Sequence, residues 1–328
     1  MPPACVQGNP SIDQALTERL HERNMWDRAA GRTEARTEAG FGPQARRSSL
    51  SSLRNRAPVF LRKNKGLFRN PDFWHLLPRL LHSRFFATGR GAGTHRRFVA
   101  THHKAMTTYF TAVLRPLAFA TRAKFESLAF SAPQPETDIF LSAHGKVDLK
   151  DLRPYRGIHV MRDPRDMIVS GYHYHKWTYE KWVHRPDDEG LTYQEKLNSV
   201  DKATGLFMEI DHFVFMYREL LENWDMDDPD MLEVQFEAIS GGNREKVYRE
   251  MFEFLGYEGE QLGIAVDLMR LFEAKRRTGR NAKSGDARHR HIRSGRSEQW
   301  REELGEQHLA YMEAQLGSVL RKFGYPPA

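Results

Sequence analysis

The chain has 328 residues, of which 40% are hydrophobic, 11% aromatic and 28% charged; this is enough apolar material for a sizeable core and excludes wholesale disorder. A single cysteine, Cys5, excludes an internal disulfide framework and any cysteine-built zinc site. The net charge of +7 is unevenly placed: residues 1–97 carry 18 basic and 7 acidic side chains, residues 275–301 carry 10 and 2, and the stretch 98–274 carries 20 and 30.

Taken in chain order, the start MPPACVQGNPSIDQ has no basic region ahead of an apolar stretch, so no secretory leader is expected. No run of about 18 apolar residues occurs either, so a transmembrane helix is not expected and the cytoplasm is the expected compartment. Ile12, Leu16 and Leu20 recur at helical spacing behind Ser11 and predict one short helix. The polar stretch from Arg28 to Arg56, rich in Arg, Ser and Gly, predicts a flexible linker, so residues 1–66 form a basic, largely disordered extension. Residues 67–96 regain aromatic and leucine content. Pro71 and Pro78 divide them into short helical pieces expected to dock on the main domain, residues 97–328.

From there, short β-rich runs alternate with helical ones. Arg97–Thr101, Asp138–Ser142, Gly157–Met161 and Met231–Phe236 predict strands; Thr108–Ala123, a segment from Arg165 and Asp211–Asn223 predict helices. The alternation implies an α/β fold with a central parallel sheet covered by helices on both faces. Ligands of such sheets bind beyond the carboxyl ends of the strands.

Two strand ends carry chemistry. In FVATHHKAMTTYF, a strand enters a helix whose first N–H groups point outward, with Lys104, Thr107 and Thr108 beside them. That is an anion pocket, although a simple cap and solvent contacts would use the same residues. The G-x-x-x-x-G-K-[ST] pattern of nucleoside triphosphatases is absent. In GIHVMRDPRDMIVSGYHYH, Arg162 ends a strand and Ser170 follows in the next helix, placing a guanidinium fork and a hydroxyl around one oxyanion. The alternative is an Arg162 ion pair with Asp163 or Asp166.

Together these segments resemble the sulfotransferases that use 3′-phosphoadenosine 5′-phosphosulfate (PAPS). That family carries K-S-G-T-T-W and R-[ND]-P-[KR]-D-x-x-V-S-x-Y-x-[FY]; this chain reads KAMTTY from Lys104 to Tyr109 and RDPRDMIVSGYHY from Arg162 to Tyr174. A third family segment, R-K-G-x-x-G-D-W, is similar to RSGRSEQW, with Arg293, Gly295 and Trp300 in register. The resemblance implies a P-loop nucleotide-binding fold with PAPS as co-substrate. It implies Lys104, Ala105, Met106, Thr107 and Thr108 around the 5′-phosphosulfate and Tyr109 at the adenine. Arg162, Ser170, Arg293, Ser294 and Gly295 would hold the 3′-phosphate. Departures from the pattern are Ala105-Met106 for Ser-Gly, Tyr109 for Trp, Ser294 for Lys, Glu298-Gln299 for Gly-Asp, and Phe236 where relatives often have Tyr.

The resemblance implies that Lys104 stabilises the leaving phosphate. It also implies that His144, in SAHGK after the second strand, matches the histidine of K-T-H-L-P and serves as the base. His102 and His103 adjoin Lys104 and are rivals for that role. The histidines form no H-E-x-x-H pattern, and no metal is expected. The run His173 to Trp177, with Tyr179 and Trp182, suits either an acceptor wall or core packing. Expected acceptors are small molecules, lipids or carbohydrates. The alternatives are a P-loop phosphotransferase using a nucleoside triphosphate, and a nucleic-acid-binding protein using the basic extension. The acidic centre disfavours the second of these.

Overall fold

Strand β1 (Arg96–Ala100) is the centre of a five-stranded parallel sheet in the order β2-β3-β1-β4-β5, in a computed structural model that describes residues 71–86, 95–277 and 297–327. The others are β2 (Phe125–Leu128), β3 (Ile139–Ser142), β4 (Tyr155–Met161) and β5 (Met231–Gln235). In register, Phe98 lies between Phe140 of β3 and Gly157 of β4. Alternate residues feed two separate cores: Val99, Ile139, Leu141, Ile158 and Val160 face one way, and Phe98, Ala100, Phe140, Tyr155 and Met161 the other. Each buried aliphatic or aromatic side chain stabilises by roughly 1.5–3 kcal/mol, and burial on both faces is what a parallel sheet requires.

Helices α1 (Pro71–Phe86) and α2 (Thr107–Ala120) cover the first face, while α3 (Pro164–His175), α4 (Tyr193–Ser199) and α5 (Lys202–Glu222) belong to the second. After β5 come α6 (Phe236–Ser240), α7 (Arg244–Phe254) and α8 (Gly259–Arg277), the last two closing the first face. Helices α9 (Trp300–Glu303) and α10 (Glu306–Lys322) complete the second.

Four predicted strands are present, shifted by no more than two residues at either end: Arg97–Thr101 is Arg96–Ala100, and Met231–Phe236 stops at Gln235 because Phe236 opens α6. The sequence missed β2, an edge strand whose FESL is half-exposed and has no apolar run. The docking segment differs too, since α1 is one continuous helix with Pro71 at its start and Pro78 inside it. Burial of Phe73, Leu76 and Leu80 offsets the proline penalty of about 3 kcal/mol. The predicted helix near Ile12 and the extension 1–66 lie outside the described residues.

The chain runs from β1 through β2 to β3 on one side, then crosses to β4 and β5 on the other. The carboxyl ends of β1, β3 and β4 therefore meet at the crossing point, where a crevice opens in sheets of this kind. Lys104, His144 and Arg162 follow those three strand ends.

Candidate functional site

The loop after β1 is tight and built without glycine. Ala105 N–H donates to the His102 carbonyl at 2.9 Å, and Lys104 (φ 63°) and Met106 (φ 69°) both lie in the left-handed region. The Met106 conformation occupies the place where a glycine was missed in the sequence, at a cost of about 1 kcal/mol or more. Met106 is also the N-cap of α2 and makes no side-chain cap hydrogen bond, so the first N–H groups of that helix are left uncapped by it. The Thr107 hydroxyl turns inward, 2.8 Å from Thr101 Oγ1 and 3.3 Å from the His102 carbonyl, whereas Thr108 is exposed. The Tyr109 hydroxyl donates to the Met269 carbonyl at 2.7 Å and ties this helix to α8.

Arg162, 5% exposed, joins the two loops. Its Nη1 donates to the Lys104 carbonyl at 3.2 Å, its Nη2 lies 3.4 Å from Asp166, and its guanidinium sits 4.6 Å over the Phe236 ring. Asp163 caps α3 through the Arg165 N–H at 2.9 Å, with Pro164 at the first helical position. Asp166, raised by burial despite Arg162, accepts the backbone N–H of Glu298 at 2.8 Å and of Trp300 at 3.1 Å. Arg293, Ser294 and Gly295 lie outside the described residues; their carboxyl-side flank is held beside Arg162 by these two bonds. Ser170 is half-buried on α3, in the helix that Arg162 precedes.

Lys104 Nζ rests 3.9 Å over the ring of Tyr174. Burial first, then the nearby Arg162, pull the ammonium down to about 8, against the opposing pull of Glu180 and Glu209. Two close cations that destabilise one another fit an anion between them.

On the other side of Lys104 lies a histidine cluster. His144 Nδ1 is 2.7 Å from the Tyr217 hydroxyl, which also accepts the His103 N–H at 3.1 Å. Tyr217 thus bridges the His103 backbone and the His144 ring. Burial, opposed by Glu180 and aided by Lys146, brings the His144 imidazole down to about 4. Its ring stacks on Phe130 with centroids 4.6 Å apart. His103 Nε2 meets His175 Nε2 at 3.1 Å, and His175 Nδ1 meets the Glu209 carboxylate at 2.7 Å. Tyr193 also donates to Glu209, at 2.9 Å. His102, by contrast, is fully buried and points away from the crevice to His159.

The fold thus brings the Lys104–Met106 loop together with His144 and Arg162, which lie about 40 and 60 residues further along the chain. Sequence reasoning missed Tyr217 and Glu209, and His175 appeared only as part of an aromatic run. The available signal was Glu209 itself, a carboxylate set among Leu206, Ile210, Phe213 and Tyr217 on the buried stripe of α5. Among the described residues no group of His, Cys, Asp and Glu is arranged to hold a metal ion, and no helix is long and apolar enough to cross a membrane.

A family model described as "Sulfotransferase domain" matches residues 94–324. Among solved structures the chain is similar to mouse sulfotransferase SULT7A1 complexed with PAP, at 15% identity and a TM-score of 0.43 over 74% of this chain and 89% of that one. It is similar as well to retinol dehydratase in complex with androsterone and inactive cofactor PAP, at 15% identity and a TM-score of 0.40 over 74% and 85%. Retinol dehydratase with retinol and PAP gives 15% identity and 0.39 over 74% and 86%. No curated protein matches the chain in sequence.

Proposed function

We propose that this chain, which belongs to the sulfotransferase family, moves a sulfuryl group from PAPS to an acceptor hydroxyl or amine. The observation that carries the reading is the contact between Arg162 and the Lys104 loop at 3.2 Å, which sets two cations from separate strand ends around one crevice. When bound, the donor supplies an activated sulfuryl group on a phosphate leaving group. Lys104 and the uncapped N–H groups of α2 receive the charge that grows on that phosphate. Arg162 and Ser170, with Arg293, Ser294 and Gly295, hold the 3′-phosphate, and Tyr109 offers a face to the base. This unit comprises residues 97–328, with 67–96 docked on it and 1–66 as an extension.

Phe130, Tyr174, Trp182 and Tyr217 surround the histidine cluster and favour an acceptor with an aromatic or apolar body, whether small molecule, lipid or carbohydrate derivative. His144 Nε2 is free of the Tyr217 bond and is left to hydrogen-bond that acceptor. A single cysteine fits a reducing cytoplasm.

Calorimetry with 3′-phosphoadenosine 5′-phosphate (PAP) and 5′-AMP tests the donor site. PAP should bind about tenfold tighter or more, the worth of charge-assisted contacts to one phosphate. Arg162→Ala should abolish the difference. Equal, weak binding of both nucleotides by the native chain would remove the assignment.

A further inference from the structure

The crevice holds a hydrogen-bonded file of side chains that donor binding does not use: Tyr193 and Glu209, then His175, then His103, next to Lys104 in sequence. Glu209 is 2% exposed and His175 is fully buried. Burial raises the Glu209 carboxyl, but His175, His212 and the Tyr193 hydroxyl outweigh it and the net shift is downward. A carboxylate only accepts, so His175 Nδ1 carries a proton. With one proton on His175, held at Nδ1 by Glu209, Nε2 is a lone pair and the 3.1 Å contact is a donation from His103 Nε2. This leaves His103 Nδ1 as the unprotonated nitrogen. His103 is half-buried, and its hydrogen bonds run through its backbone N–H to Tyr217 and through Nε2 to His175.

The geometry suits transfer along this file. The His103 and His175 ring planes are 14° from parallel with centroids 5.0 Å apart, and the two Nε2 atoms meet at 3.1 Å. The backbone makes room for it: a Cβ on Gly171, one turn before His175 on α3, would sit 2.9 Å from Glu209 Oε2. Tyr174 supports both reacting groups, with Lys104 Nζ 3.9 Å and the His103 ring 5.5 Å from its ring centroid.

We propose that His103 is the catalytic base, its Nδ1 taking the acceptor proton while His175 and Glu209 behind it receive and stabilise the charge. The proposal rests on the sulfuryl-transfer reading. As the acceptor oxygen forms its bond to sulfur, its proton moves to His103 Nδ1. The sulfur–oxygen bond to the donor phosphate breaks, and its electron pair leaves with the nucleotide. The His103 Nε2 proton passes to His175 Nε2, producing an imidazolium paired with Glu209. Without this relay His103 would be a poor base, because burial, His175, Lys104, His144 and His212 all hold it well below the ordinary histidine value. His144 has Tyr217 rather than a carboxylate as its hydrogen-bond partner. The ionisable groups around His103 are Lys104 on its own loop, His175 and Tyr174 from α3, His144 after β3, and Tyr217 and His212 from α5.

Nitrogen NMR of the histidine-labelled native chain reads the tautomers without any acceptor. His103 should be protonated at Nε2 and His175 at Nδ1; an Nδ1-protonated His103 at pH 7 overturns the relay. Reverse transfer from p-nitrophenyl sulfate to PAP, and release of sulfate from PAPS to water, give the kinetic readouts. His103→Ala and His103→Asn should each lower turnover about 10²-fold or more while PAP binding stays within threefold. Glu209→Gln should lower turnover about tenfold and move the acid limb of the rate profile to lower pH, since the imidazolium loses its counter-charge. Full turnover in both His103 variants, or an unmoved acid limb in Glu209→Gln, overturns the proposal. Loss of PAP binding by the native chain would instead strike the sulfuryl-transfer reading and leave the tautomers to be judged separately.

Discussion

Adjacent histidines in one loop end two files of the same composition that differ in outcome. His103 leads through His175 to Glu209, and His102 leads through His159 to Glu233, with ring nitrogens 2.7 Å apart and His159 Nδ1 2.6 Å from the carboxylate. Glu233 is held by Trp224 at 2.7 Å as Glu209 is by Tyr193. Each file has a glycine that yields space, since a Cβ on Gly145 would fall 2.8 Å from the His102 ring and one on Gly171 2.9 Å from Glu209. The differences are access and angle. His102 and His159 are fully buried and meet at 89°, whereas His103 is half-buried and its ring is nearly parallel to that of its partner. The same bonds therefore knit β1, β4 and β5 together in one place and face the crevice in the other.

The largest effect that tests this contrast comes from the crevice side. Lys104→Ala should cut transfer about 10²–10³-fold, the scale for losing one preorganised charge donor, with the melting temperature close to that of the native chain. A matching loss on the core side would break the distinction. His159→Ala should do the converse, lowering stability by about 2–4 kcal/mol through a cavity and the orphaned His102. Transfer per folded molecule should stay near native. Denaturant titration and active-site counting measure the two quantities separately.

The smallest effect is on acid stability. Burial, then His159 and His144, hold His102 well below its ordinary value, so the folded chain keeps it neutral. An unfolded histidine titrates near 6.5, so below about pH 6.5 the unfolded chain binds a proton that the folded chain refuses. Stability is complete above that pH and falls with acidification by roughly 1.4 kcal/mol per pH unit for each such group. His144, at about 4, and His212, at about 3, act in the same direction. His102→Gln should reduce the slope of stability against pH by one proton. An unchanged slope would show that His102 is not neutral in the fold.

Much of this was legible before any coordinates, and the reason is local. Strands β1, β3, β4 and β5 are short apolar runs, and Lys104 and Arg162 follow two of them inside contiguous motifs. What escaped was non-local. The edge strand β2 lacks an apolar run, and the packing that carries α1 through Pro78 comes from elsewhere in the chain. Glu209 and Tyr217 sit on α5 with no motif around them, and their partners His175, His103 and His144 belong to other segments. Helical spacing marks their stripe as buried, but only tertiary contact says which imidazole each one meets.

The two N–H groups that hold Asp166 come from residues 132 and 134 positions further along the chain. Growth on the ribosome therefore delivers Lys104 and Arg162 long before the segment that secures the carboxylate beside them. The clasp closes only when synthesis is nearly finished, so a prematurely terminated chain would carry both cations yet lack the backbone donors that fix their neighbour.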